Sequence, residues 1–565
     1  MQVSYAKTTT VSIEFWGIQI MERGMVVSRS VGRVRNLSLA AGIAAATLVG
    51  ATGVTSALAD EPMLTKTAPM TYAPPSPAAC GSVYDFFFTA CPLTWVGVTV
   101  YGTVDMGFGY QTHGSPFDPN FPTGASYLLN KPSRQAEWTL APNALSQSVI
   151  GIKSNEPIAP GWNFVSVNEL AFDPYSALLA NAPQAMQNAI GVPLNQQLIP
   201  VDSSKWGWLA AQNAAGVSSP TWGTLLLGRQ NTLNLDLINA YDPMGGAFGF
   251  SPIGFSGATC GSGDTEECRY TTAIKYRVNI ANFRLGIIGQ PLRYGAYNPN
   301  NGAIQGEIGG DFRLGPGILS TDIVGAYDRD AVNIGPSGGF TTQANGQAGP
   351  PFPANTFLTA TISNNTSGTI GLKYTFGSWA PGPIVSKEPP PPPSLPLTLY
   401  AGYEYTVLSA PSDPQSAFYD DGFFFTNPGA AAFTGNGTAI NNTAFSANCG
   451  GGGGCSNRLF QITWVGAKYG ITKNLDITAA YYQYWQNQFQ NTAAGAAFCG
   501  GVGGATAHGT CSGTEDFWSL LLDWRFLPKW DVYVGTFFSQ ANGGFLNGYL
   551  ARNNLATTTG VRFRF

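Results

Sequence analysis

Charge and histidine are both scarce in this chain. Only 11% of its 565 residues are Asp, Glu, Lys or Arg, against about a quarter in an ordinary soluble domain. With 28 basic residues against 32 acidic, nothing points to a nucleic-acid partner. The two histidines are His113, which has Ser115 nearby, and His508, which lies in a Gly-rich stretch. A catalytic nucleophile needs a base held by a third group in fixed geometry. Two isolated histidines offer no such framework, so the sequence argues against an enzyme. No Cys-x-x-Cys pair occurs, which argues against zinc and leaves no cofactor to expect.

Long apolar runs are also missing, with one exception near the N-terminus. Arg29, Arg33 and Arg35 precede an Ala- and Gly-rich apolar stretch over 37–51, and Ala57-Leu58-Ala59 follows. That order is a basic region, an apolar region and a small-residue cleavage site, so 1–59 reads as an N-terminal extension and a cleavable signal peptide. A membrane anchor is the alternative. Residues 1–20 lack signal character, and Met21 or Met25 is the expected translation start. The 59 residues carry five of the 28 basic and two of the 32 acidic side chains, so their removal leaves a net charge of about −7.

What is abundant is glycine, 70 residues, and aromatic side chains, 13%. Mean hydropathy is nonetheless zero. Low charge without overall greasiness means that apolar and polar residues interleave, as the wall of a water-filled membrane barrel requires. The segment 98–110 shows the pattern. Val98, Val100, Val104, Met106, Phe108 and Tyr110 share one face, and Thr99, Tyr101, Thr103 and Asp105 share the other.

Such segments recur at 94–110, 137–153, 162–172, 205–214, 222–230, 270–279, 283–289, 306–314, 319–327, 369–376, 397–406, 459–469, 474–485, 517–527, 530–540 and 555–565. The count is sixteen. The fold class is therefore all-β, a transmembrane antiparallel barrel over 93–565 with long outer loops and short periplasmic turns. Links alternate accordingly: 281–282, 315–318, 470–473 and 528–529 are short, while 231–269, 328–368, 407–458 and 486–516 are long. The link 377–396 breaks the rule and holds a proline run at 389–393, which reads as a periplasmic spacer. A Pro-rich periplasmic stub is expected over 60–92, and 174–191 has helical composition.

The eight cysteines form four sequence-local couples: Cys80 with Cys91, Cys260 with Cys268, Cys449 with Cys455, and Cys499 with Cys511. In an exported protein these are expected to be disulfides. Parity places Lys275, Arg277, Arg284, Arg562, Arg564 and Asp105 on the pore wall, because their alternate neighbours Ile274, Tyr276, Leu285, Phe563 and Phe565 make the apolar, lipid-facing set.

Five stretches, VTVYGTVDMGFGY at 98–110, SQSVIGIKSNEPIAPGW at 146–162, WGTLLLGRQ at 222–230, YTTAIKYRV at 270–278 and the terminal VRFRF, resemble in order the general trimeric porins of Gram-negative bacteria. The resemblance implies a sixteen-stranded barrel, a homotrimer in outer-membrane lipid, and passive diffusion of small hydrophilic solutes and ions. It also implies that the link 231–269 folds inward to narrow the pore. Asp236 and Asp242, ahead of and beside the stretch GGAFGF, are then candidates for the constriction. Thr558, Gly560, Phe563 and Phe565 match the terminal pattern presented to the barrel-assembly machinery. A substrate-specific channel, or a non-conducting structural or adhesive barrel, remains the alternative. A gated receptor is not expected, because only about 33 residues lie between Ala59 and the first strand, too few for a plug domain.

Overall fold

The computed structural model describes residues 79–114, 126–129, 131, 133–177, 212–253, 269–291, 302–336, 340–342, 348–351, 357–376, 396–409, 418–419, 457–489, 511–546 and 549–565. Sixteen strands close into one antiparallel barrel. They are β1 Val98–Gln111, β2 Ser148–Ala159, β3 Trp162–Phe172, β4 Gln212–Ser219, β5 Gly223–Asn231 and β6 Arg269–Ile280. Next come β7 Phe283–Gln290, β8 Ala303–Leu314, β9 Gly317–Pro336, β10 Phe357–Phe376 and β11 Leu397–Ser409. The wall is completed by β12 Arg458–Gly470, β13 Leu475–Gln486, β14 Gly513–Leu527, β15 Trp530–Gly543 and β16 Asn553–Arg564. Each strand pairs with its chain neighbour, and β16 returns to β1 through Asp105↔Arg562 and Gly107↔Gly560.

The period of two sorts the side chains as lipid and water demand. Ile150, Ile152, Leu227, Ile274, Ile287 and Leu520 stand on the outside, about half exposed. Charged and hydroxyl side chains take the alternate, inward positions. Among the described residues no helix is long and apolar enough to cross a membrane.

Two segments depart from the sequence reading. The second, expected to run unbroken over 137–153, is two pieces: Glu137–Leu140 pairs with the upper part of β1, and β2 with its lower part. Between them 141–147 leaves the ladder and turns into the barrel, with Asn143 at a φ of 59°. The fourth strand, expected over 205–214, is described over Gln212–Ser219, in register with β5 through Ser219↔Gly223. The first part of that expected segment, 205–211, lies outside the described residues. The hairpin of β9 and β10 is also longer than alternation suggests, with pairing as far as Pro336↔Phe357.

Ahead of β1, helix α1 (Val83–Phe88) and a short strand, Leu93–Trp95, lie against the wall. Leu93–Trp95 continues the sheet where β16 ends, pairing with Val98–Val100 through a turn in which Val96 and Gly97 both have positive φ. The expected signal segment, the part beyond 177 of the stretch with helical composition and the proline link 377–395 lie outside the described residues.

Candidate channel interior and barrel seam

The link after β5 folds inward, as the sequence reading expects. Thr232 caps helix α2 (Leu233–Tyr241) by accepting from the Leu235 N–H, and Asp242 closes its C-terminal end. This helix and the turns to Ile253 are packed inside the barrel, against the inner faces of β8 to β15. The docking is specific. The Asn234 N–H donates to Gln305 Oε1 at 3.0 Å, the Tyr241 hydroxyl to Asp322 at 2.8 Å, and the Trp464 indole N–H to the Tyr241 carbonyl at 3.0 Å. Glycines on the wall make room for the loop's bulk. A Cβ at Gly371, Gly466 or Gly535 would stand 2.5, 2.4 and 2.5 Å from Tyr241, Pro243 and Phe250 respectively.

Neither loop carboxylate fronts open water, which differs from a constriction lined by free acids. Asp236 is 7% exposed and lies 2.5 Å from Lys275 Nζ and 3.1 Å from the Arg277 guanidinium. Burial works to raise its carboxyl, but Lys275 and Arg277 outweigh it and hold it below the usual carboxylate range. Asp242 is 2% exposed and accepts from the Tyr482 hydroxyl at 2.6 Å, the Gly246 N–H at 2.8 Å and the Met244 N–H at 3.2 Å. Its burial pushes the carboxyl up, against those hydrogen bonds. Both acids fasten the loop. The physical reason is that a carboxylate beside a guanidinium or a cluster of donors gains more by contact than by facing water across a gap.

The predicted wall residues divide in the same way. Arg277, Arg284, Arg562 and Arg564 are partly exposed to the lumen, whereas Lys275 is buried under α2. Arg277 pairs with Glu307 at 2.7 Å, Arg284 with Asp311 at 2.7 Å and Asp322 at 3.0 Å, and Arg562 and Arg564 with Asp531 at 2.6 and 3.0 Å. Asp105 faces inward but is fully covered, so it is not a pore-wall group. Its carboxylate accepts from the Leu145 and Ser146 N–H groups at 2.7 Å and from the Tyr533 hydroxyl at 2.7 Å. It thereby anchors the 141–147 insert, on which the Gly249 N–H rests through the Ala144 carbonyl.

Sequence reasoning missed a second inward element. Lys131, between β1 and β2, is buried with its ammonium 2.6 Å from Glu515 and 4.5 Å from the Tyr549 ring centre. A signal was present in the strands beneath: large aromatics such as Trp464, Tyr482 and Phe537 occupy inward positions where a wet wall would carry small polar groups.

At the seam, Thr558 and Gly560 face inward, and Gly560 leaves space for Tyr533, whose hydroxyl would lie 2.2 Å from a Cβ. Phe563 and Phe565 point outward but are not bare to lipid. Phe86 of α1 packs edge-on against both, at 5.5 and 5.3 Å between ring centres, and Phe87 lies 5.5 Å from Phe563. Lys529 Nζ donates to the Phe86 and Cys91 carbonyls and Trp530 Nε1 to the Phe87 carbonyl. The Cys80–Cys91 disulfide closes this clasp. Cys511 is also disulfide-bonded. The other five cysteines lie outside the described residues.

No curated protein matches the chain. Among solved structures it is similar to an anion-selective porin from Comamonas acidovorans, at 15% identity over 83% of this chain and 99% of that one, TM-score 0.45. It is also similar to Salmonella typhi OmpF in complex with daunomycin, at 14% identity over 83% and 97%, TM-score 0.43. OprB of Pseudomonas putida gives 12% identity over 83% and 94%, TM-score 0.43. The sequence pattern of the Gram-negative porin family matches residues 44–383, more than half of the chain. On that match the protein belongs to the Gram-negative porin family, and its barrel is a channel of the outer membrane.

Proposed function

We propose that the channel is a general one, passing small hydrophilic solutes and ions by passive diffusion, and that the loop after β5 sets its narrowest section. The observation that carries this reading is the inward loop itself. Helix α2 is held to the wall at both ends, by Asp236 on β6 and by Asp242 on β13, so the lumen is narrowed by a fixed element. Asp236 and Asp242 act here as the fastenings of the constriction. Thr558, Gly560, Phe563 and Phe565 serve as the signal read by the assembly machinery, residues 1–59 are removed on export, and the mature chain assembles as a homotrimer.

Single-channel recording of the refolded protein in planar bilayers tests the reading. Conductance that rises in proportion to salt and does not saturate with any one sugar or amino acid supports a general pore. Saturation by one solute identifies a dedicated site, and silence points to a structural barrel. Closure in steps of three, with a trimer mass in mild detergent, supports the assembly; a monomer mass speaks against it.

A further inference from the structure

The short-turn end of the barrel, periplasmic by the rule of short inner turns, carries its charges in an ordered way. Even-numbered strands run down to that end, and six of the eight bring a lumen-side base close to it: Lys153, Arg277, Lys373, Lys468, Arg525 and Arg564. Three of these bases pair with an acid that is more deeply buried than they are. The side chain of Arg564 is 23% exposed and that of Asp531 is 0%; Lys468 is 24% and Asp476 2%; Arg277 is 21% and Glu307 3%. In each pair the cationic head meets the water and the carboxylate lies against the wall. Arg277 and Arg284 also line a small cavity of about 50 Å³ with Ser219, Thr224 and Glu307. Asp311, 37% exposed beside Arg284, runs against the trend, and Arg525 and Asp523 are nearly level at 14% and 12%.

We propose that this vestibule selects small anions over cations. The inference rests on the open-channel reading and adds the charge class of the solute. The chain as a whole is net negative, at −4, so the whole-molecule charge suggests the opposite. Selectivity is decided by what a permeating ion approaches. A head group at the water boundary acts over a shorter distance and through fewer buried partners than a carboxylate behind it, and a narrow low-dielectric wall focuses that field into the lumen. Oriented pairs therefore present a positive surface even where their formal charges cancel. These bases are distributed around the circumference, from β2 to β16, rather than gathered on one side.

The test is the reversal potential of the full-length mature protein in planar bilayers under a potassium chloride gradient. The wild type should pass chloride over potassium by at least about twofold, with the preference shrinking as salt screens the wall. A Lys468→Gln/Arg564→Gln variant should lose a clear part of that preference. It leaves Asp476 with Arg525 and Asp531 with Arg562, so no buried acid is stranded. A cation-selective wild type overturns the proposal, and so does an anion-selective one that the double substitution leaves unchanged. If the variant does not fold, the sign of the wild-type potential still decides. Absence of any conductance strikes instead at the open-channel reading on which the proposal rests.

Discussion

The ring of Tyr241 occupies the space that any side chain at Gly371 would need: a Cβ there would lie 2.5 Å from the ring. Loop and wall are thus complementary at a single missing atom. Gly371→Ala should force Tyr241 off the wall, at a cost of about 1–3 kcal/mol for overpacking. Because the hydroxyl of Tyr241 is tied to Asp322 and its carbonyl to Trp464, the displacement should spread along the loop. Single-channel records should show a changed conductance with added noise. A quiet channel of wild-type conductance would mean that the loop is not seated here.

The two fastening acids titrate in opposite senses. Asp236 is held below its ordinary range by Lys275 and Arg277, so its share of loop docking is present above the unfolded value and is lost as pH falls through the depressed one. Asp242 is raised by burial, so its share is complete at low pH and fades as pH rises through the raised value. Acidification should therefore loosen the α2 end at β6 first. Asp236→Asn should abolish that acid limb in a plot of channel noise against pH, and persistence of the limb would assign it to another group.

Reduction of Cys80–Cys91 should loosen the seam while the rest of the wall holds. Closing a loop of this separation, 11 residues, is worth about 2–3 kcal/mol in the chain-entropy model. The effect should appear as a lower temperature for the shift from folded to unfolded mobility on gels, in reductant or in Cys80→Ser/Cys91→Ser. Phe86→Ala should act in the same direction through lost contact with Phe563 and Phe565. Equal transition temperatures in all samples would leave the clasp without mechanical weight.

Phe565→Ser should lower the amount of protein reaching the outer membrane more than it alters the channels that do arrive. The ring lies outside the lumen, over Gly102 and against Phe86, so conductance has no reason to change. Surface levels equal to wild type would remove Phe565 from the assembly signal.

Alternation made the wall legible because lipid outside and water inside impose opposite chemistry on successive residues. The segment Trp162–Phe172 coincides with its expected bounds for that reason. The rule fails wherever the interior is not wet. Asp105 keeps inward parity, yet it is covered by an insert that no local pattern announces, because 141–147 is held by Asp105, itself bound by Tyr533, and by Gly249 far away in the chain. Asp236 was legible as a loop acid near a basic strand but not as its direct partner, since strand register decides the distance. Phe563 and Phe565 look like lipid-facing rings from the last strand alone. Only the packing of α1 reveals their cover.

The seam also imposes an order in time. Gly102 and Phe565 exchange backbone hydrogen bonds of 3.0 and 2.9 Å from opposite ends of the barrel chain, a contact of the highest sequence separation the wall contains. Such closures carry a large loop entropy and come late in folding. The Cys80–Cys91 link joins residues only 11 apart, so its closure costs far less loop entropy than the seam. In the closed barrel the rings of Phe86 and Phe87 cover the last strand, so the contacts that hold α1 in place also add to the free energy that offsets the entropy of closure.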